Sequence, residues 1–250
     1  MMNNQTTIEK MKQMRLQGMA ESHYTNTQNN LYQDYTIDSY TAMLIDQEWE
    51  YRQNRKMENL IRTAKFKEAA SIKDIDYSAK RNLDKNSFER LSTLDFIKNK
   101  ENIIITGATG TGKSYLAQAL GYQSCITIHR TLYFNASKLM ERVKVARLEG
   151  TYTKFIDKIE KCDLLILDDF GLFELDNITR QALMDIIESK YDRSSIIITS
   201  QIPVNKWHEL IGEGTIADAI LDRLVYSSHR INLEGESMRK NKMKNIKKFN

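Results

Sequence analysis

Gly107, Ala108, Thr109, Gly110, Thr111, Gly112, Lys113 and Ser114 satisfy G-x-x-x-x-G-K-S at every fixed position. Glycines let a backbone curl until successive N–H groups face inward on an anion. The helix-forming run after them, 115–120, adds free N–H groups and the positive end of a helix dipole. This chemistry suits the phosphates of a nucleoside triphosphate such as ATP. Residues 107–115, Tyr115 included, are the candidate contacts. Lys113 is expected to reach the β- and γ-phosphates and to steady their charge during cleavage. Ser114 is expected to ligate Mg2+ through its hydroxyl. Downstream, the apolar run Leu164, Leu165, Ile166, Leu167 ends in Asp168 and Asp169. Magnesium prefers hard oxygens and keeps several waters, which suits Asp168. Asp169 then stands where a carboxylate can orient or deprotonate an attacking water. A strand that merely ends in an Asp-Asp-Phe-Gly turn is the plainer alternative.

These groups need rigid supports at one edge of a sheet. Apolar runs at 102–106, 132–134, 163–167 and 195–199 read as buried strands, with a further strand-like run at 228–233. Segments 136–148 and 177–191 between them are helical in composition. This alternation predicts an α/β fold, a parallel sheet flanked by helices on both faces, with its ligand edge at the carboxyl ends of the strands. The run at 132–134 lies between the loop and the acidic strand. That favours the ATPase branch of phosphate-loop proteins, which inserts a strand between the two, over nucleotide kinases.

The first hundred residues differ in kind. No glycine lies between Gly18 and Gly107, which suits helices. Ile37, Tyr40, Leu44, Tyr51, Met57, Leu60, Ile61 and Ala64 recur at helical spacing, and Asp38 and Ser39 offer cap chemistry. Arg52, Arg55, Lys56 and Arg62 fall on the face opposite Leu60 and Ile61 and are the candidate DNA contacts. Six more bases and no acid occupy 237–250, although the chain's net charge is only +4. Two local basic clusters in a nearly neutral chain point to a polyanion met at particular places. The expected organisation is a helical domain at 1–70, a helical linker at 71–100, the nucleotide-binding domain at 101–236 and a basic tail.

Other classes are excluded. No apolar run approaches the roughly 18 residues of a membrane span, no secretory leader is visible, and the expected location is the cytoplasm. Cys125 and Cys162 cannot build a disulfide framework or a four-ligand zinc site. The four histidines are scattered, and Trp49 and Trp207 are expected in the core.

Together with the segments Thr199-Ser200-Gln201-Ile202-Pro203-Val204-Asn205-Lys206-Trp207-His208 and Ile220-Leu221-Asp222-Arg223-Leu224, these residues resemble the IstB-like family. Its members are ATP-binding helpers of a bacterial insertion-sequence transposase, related to DnaC-type helicase loaders. The resemblance starts at 10–19, which is similar to the family's N-terminal helix, and ends at 235–239. It implies an AAA+ phosphate-loop fold with an N-terminal all-helical DNA-binding domain. It also implies ATP-driven homo-oligomerisation on double-stranded DNA and delivery of the cognate transposase to it. By the same resemblance, Gln201 takes the position of a sensor of the γ-phosphate, and Arg223 that of a finger reaching a neighbour's nucleotide. Arg239 takes that of a second sensor. An arginine paired with Asp222 on its own helix is the alternative for Arg223. Two departures stand out. Asp169 occupies a position that is usually Glu in AAA+ proteins, which would slow hydrolysis. Few residues follow the last strand, so the C-terminal lid is expected to be reduced or absent, which unsettles the role of Arg239.

A DnaC-type replicative helicase loader is the alternative function. A small-molecule kinase and a nucleotide-binding scaffold without hydrolysis are more distant ones.

Overall fold

The computed structural model describes residues 2–238. The basic tail from 239 onward, with Arg239, lies outside the described residues, as does the question of a lid. The chain divides into two compact units, residues 1–59 and 60–250.

The first unit is helical. Helix α1 (Met2–Gln13) and α2 (Gln17–Gln28) are separate elements where one was expected across 10–19. Arg15 takes a left-handed φ of 61°, and Leu16 N closes back on Met11 O at 2.8 Å, which ends α1. After a 3-10 turn (Leu31–Asp34) comes α3 (Ile37–Ala64), which runs across the division. Its cap is Thr36, whose Oγ1 accepts from Ser39 N at 3.2 Å, and not Asp38 or Ser39. Gly18 lets α2 approach α3 closely, since a Cβ there would lie 2.6 Å from Gln47 O. Trp49 is not in the core: it is 63% exposed on α3. Among the described residues no helix is long and apolar enough to cross a membrane.

In the second unit, residues 65–84 are largely irregular, with one 3-10 turn at Ile72–Asp74. Two short helices follow, α4 (Lys85–Ser92) and α5 (Asp95–Lys98). Glycine poverty there goes with irregular chain and two short helices rather than a continuous helical linker across 71–100. Asp84 caps α4 by accepting from Ser87 N at 2.7 Å.

The rest alternates strand and helix: β1 (Asn102–Gly107), α6 (Lys113–Ile126), β2 (Thr131–Asn135), α7 (Ala136–Leu148), α8 (Tyr152–Glu160), β3 (Leu164–Phe170), α9 (Asn177–Lys190), β4 (Ser195–Ser200), α10 (Trp207–Ile211), α11 (Gly214–Val225) and β5 (Ser228–Leu233). All strands are parallel, in the order β2-β3-β4-β1-β5. The sheet thus inserts β4 between the phosphate-loop strand and the acidic strand.

Successive residues of β1 to β4 alternate between two cores, while β5 at the sheet edge turns only Ile231 and Leu233 toward one of them. Ile104, Leu165, Leu167, Ile196 and Ile198 pack against α7, α9 and α11 through Leu139, Leu183, Ile186 and Ile220. Ile103, Ile105, Leu164, Ile166 and Ile197 pack against α4 and α6 through Phe88, Leu116 and Leu120. Burying each such side chain contributes about 1.5–3 kcal/mol. This two-sided burial makes the strands read as unbroken apolar runs. Trp207 is fully buried, rests edge-on against Phe170 at 4.8 Å, and donates its indole N–H to Ile202 O at 2.9 Å.

Candidate nucleotide site

The loop 107–112 joins the carboxyl end of β1 to the first turn of α6. Its glycines have positive φ: 147° at Gly107, 85° at Gly110 and 97° at Gly112. A side chain at Gly107 would meet Leu233 O at 2.3 Å, and one at Gly112 would meet Arg81 Nη1 at 2.5 Å. Only glycine gives the chain this curl, which turns the N–H groups inward. Lys113 is buried, and its Nζ donates to Gly107 O at 2.8 Å and Ala108 O at 2.9 Å.

Asp168 is 1% exposed and collects three hydroxyl donors from three different elements. Ser114 Oγ donates at 2.8 Å, Tyr133 Oη at 2.6 Å, and Thr199 Oγ1 donates as well. Burial first, and then the bond to Asp168, push the Tyr133 phenol well above its ordinary pKa, so it stays a donor. The Ser114 hydroxyl and Asp168 carboxylate are adjacent hard oxygens. Magnesium at a phosphate site takes one or two protein oxygens and fills its octahedron with waters and phosphate oxygens. The donor set fits that ion. Among the described residues no group of three or more His, Cys, Asp or Glu is arranged for a metal, so the tighter all-protein cages are not built here.

Asp169 does not close a turn. It lies inside β3 at a bulge between Leu167 and Phe170, with φ 59°. The bulge aims two consecutive carboxylates at the same edge, which a regular strand would send to opposite faces. Its N–H donates to Thr199 Oγ1 at 3.0 Å, and its Oδ2 accepts from Asn135 Nδ2 at 3.2 Å. Burial raises the Asp169 pKa, the Asp168 charge adds to this, and Lys67 and Lys113 pull the other way. Gln201 Oε1 accepts from Thr109 Oγ1 at 2.6 Å, so the residue after β4 touches the loop directly.

Two more segments clasp the loop. Arg81, only 4% exposed, donates from Nη1 to Thr111 O at 3.1 Å and from Nη2 to Asp76 O at 2.9 Å. Its Nε is buried with no hydrogen-bond partner among the described residues, and burial lowers its pKa. From the other side, Met238 N donates to Gly110 O at 2.8 Å and Glu234 N to Arg81 O at 3.0 Å. Between these walls is a cleft of about 780 Å³, lined by Lys67, Ile75, Arg81, Lys113, Asp169 and Gln201 among others. That is the size of a small-ligand site.

The candidates Lys113, Ser114, Asp168, Asp169 and Gln201 therefore converge. Arg223 does not join them. It is near the amino ends of the strands, where Asn102 Nδ2 donates to its carbonyl at 3.2 Å. Its Nε lies 2.5 Å from Glu188 Oε2 as an ion pair without hydrogen-bond alignment, its Nη1 donates to Ala219 O at 3.0 Å, and its guanidinium lies over Tyr191. Its acidic partner is on α9 and is not Asp222. Arg52, Arg55, Lys56 and Arg62 are all exposed on α3, with Arg52 paired to Glu48 at 2.7 Å. Sequence reasoning missed Arg81, Tyr133, Asn135 and Thr199. For the last three a signal existed: a polar side chain in or at the carboxyl end of an apolar strand run.

Comparisons with known proteins agree with this geometry. The profile of a family described as IstB-like ATP binding protein matches residues 9–246. An insertion sequence ATP-binding protein of Sinorhizobium fredii, y4pL, is 40% identical over 235 residues, 94% of this chain and 96% of that protein. The insertion sequence IS5376 ATP-binding protein of Geobacillus stearothermophilus is 32% identical, covering 88% of this chain and 86% of that one. Among solved structures, AMPPCP-bound DnaA from Aquifex aeolicus aligns at a TM-score of 0.57 and 20% identity, over 72% of this chain and 56% of that one. The DnaC helicase loader aligns at 0.51 and 22%, over 62% and 93%. These two likenesses show the AAA+ fold. Sequence match over nearly the whole length, on a sheet whose loop edge is built for a triphosphate, leads to one conclusion: the chain belongs to the family of IstB-like ATP-binding proteins.

Proposed function

We propose that this protein is an ATP-dependent regulator of DNA transposition. It binds duplex DNA with little sequence preference, self-assembles on it when loaded with ATP, and recruits or stimulates a partner transposase. The observation that carries this reading is the separation of Arg223 from the convergent nucleotide residues, at the opposite edge of the same sheet. That separation puts Arg223 out of reach of its own copy's nucleotide, which supports a role toward a neighbouring copy's beside its contacts with Glu188 and Tyr191. The description of several relatives as insertion sequence ATP-binding proteins supports the setting.

The loop N–H groups hold the phosphates and Lys113 supplies their counter-charge. Ser114 and Asp168 would hold Mg2+, and the ion would screen the charge that grows on the transferred group. Asp169 orients the attacking water and takes its proton, with Asn135 steadying the carboxylate. Gln201 responds to the γ-phosphate through its bond to Thr109 on the loop. Arg223 of a neighbouring copy stabilises the transition state, a contribution of roughly 10³–10⁵ in rate where such fingers operate. Hydrolysis is thereby tied to assembly. On DNA, exposed Arg55 and Lys56 make phosphate contacts, which carry affinity and little sequence information.

Analytical ultracentrifugation tests this. ATP analogue plus duplex DNA is expected to drive a large assembly that ADP dissolves, and Lys113→Ala is expected to abolish it. A monomer under every condition overturns the reading. Recovery of a replicative helicase instead of a transposase in a pull-down reassigns the protein as a loader.

A further inference from the structure

The three lysines of α8 and the residue that follows it form no ion pair among the described residues, although acids surround them in sequence. The fold takes those acids elsewhere. Glu160 pairs with Arg193 at 2.8 Å. Asp163 accepts from the Arg130 N–H at 2.7 Å and faces His129. Meanwhile β2 brings in Arg130, whose Nη1 donates to Lys161 O at 3.3 Å, tying it to the end of α8. The result is an open groove of about 450 Å³ lined by Arg130, Lys154, Lys158 and Lys161, with Asp157 its one acid. Elsewhere in this unit some cations are paired, as Lys98 with Asp95, Lys144 with Asp176 and Arg180 with Glu213, and others, such as Lys138 and Lys206, form no ion pair among the described residues; what sets the groove apart is that its four cations line one cavity. Four converging cations against one carboxylate repel each other and gain most from a polyanion.

We infer that this groove is a second binding site for the phosphate backbone of duplex DNA, separate from the basic stretch of α3 recognised in the sequence. The inference rests on the proposed reading of duplex DNA as partner. Lys154 and Lys161 are seven positions apart, about 10 Å along the helix, which is the axial rise of about three phosphates of one strand. Thr63, in the last turn of α3 within this same unit, also lines the groove. The site offers point charges and no base-reading amides, so it adds affinity and salt sensitivity without sequence preference.

The test is the salt dependence of duplex-DNA affinity by fluorescence anisotropy, with ATP analogue present. Three full-length proteins are compared: wild type, the triple variant Lys154→Gln, Lys158→Gln, Lys161→Gln, and a control with the same charge loss, Lys98→Gln, Lys138→Gln, Lys206→Gln. All six lysines are exposed. Each lost contact removes about 0.9 from the slope of log K against log salt, so the groove variant's slope becomes shallower by about 2 to 3. Its affinity falls on the order of a hundredfold near 0.15 M salt, while ATP binding is unchanged. A groove variant that matches the control overturns the groove. Loss of slope in an Arg55→Gln, Lys56→Gln variant alone would then leave duplex DNA as partner through α3. A wild-type protein that ignores duplex DNA overturns both readings at once.

Discussion

Arg223 offers a test in which two inactive proteins restore each other. Asn102, which bonds the Arg223 carbonyl, opens β1, and Gly107 closes it. Five steps of about 3.3 Å separate them by about 17 Å, beyond the reach of any side chain. Within one chain, Arg223→Ala removes an ion pair to the half-exposed Glu188 and a cation–π contact with Tyr191. Together these contribute about 1–2 kcal/mol, a loss of a few degrees in Tm, and ATP affinity should not change. Turnover should fall by roughly 10³–10⁵ if the arginine acts in trans. Asp169→Asn should also abolish turnover, but from within its own site. In an equimolar mixture, an intact nucleotide site from the Arg223→Ala copy meets an intact arginine from the Asp169→Asn copy at about a quarter of the interfaces of a head-to-tail assembly. Phosphate release measured on the mixture should therefore recover to about a quarter of the wild-type rate. A mixture no more active than its components, or an Arg223→Ala protein with normal turnover, would refute the reasoning.

Gly112→Ala places a methyl 2.5 Å from Arg81 Nη1 at φ 97°, so ATP affinity by isothermal titration should drop more than about tenfold. Wild-type affinity would show that the loop does not need its curl. Trp207→Ala empties a fully buried site against Phe170 and should cost about 3–5 kcal/mol, read as a lower urea midpoint with unchanged m-value. The raised pKa of Asp169 has a defined sign. The folded protein retains a proton that the unfolded chain releases above 3.8, so this group's stability contribution is present at lower pH. That contribution is lost as pH rises through the folded pKa. Asp169→Asn should flatten that decline in Tm, and superimposable profiles would contradict the assignment. In the wild type, hydrolysis should rise over the same interval as the carboxylate ionises.

The chemistry was most legible where it is contiguous. Residues 107–114 and the pair Asp168 and Asp169 are read from one stretch each, because a curled loop and a strand end are local structures. Four of the five strands were visible for a related reason: burial on both faces leaves an unbroken apolar run, whereas β5, half-exposed at the sheet edge, shows only Ile231 and Leu233 between polar residues. What escaped is non-local. Tyr133 and Thr199 meet Asp168 from strands on either side of β3. Arg81 reaches Thr111 from a segment with no periodicity to betray it. The bulge at Asp169 is invisible to a strand period of two. Trp49 shows the converse error, since aromatic character argued for a core while the helix turns it to solvent.

The uniform strand direction has a consequence for any assembly. With every strand pointing the same way, the sheet has unlike edges, a cradle at one and an arginine at the other. A contact that seats one copy's arginine on the next copy's cradle matches two different patches, and no twofold pair satisfies it. An open stack built this way has a head and a tail. Its terminal copies are chemically distinct, so addition and loss proceed at different rates at the two ends, and a row laid on DNA points along the duplex like an arrow.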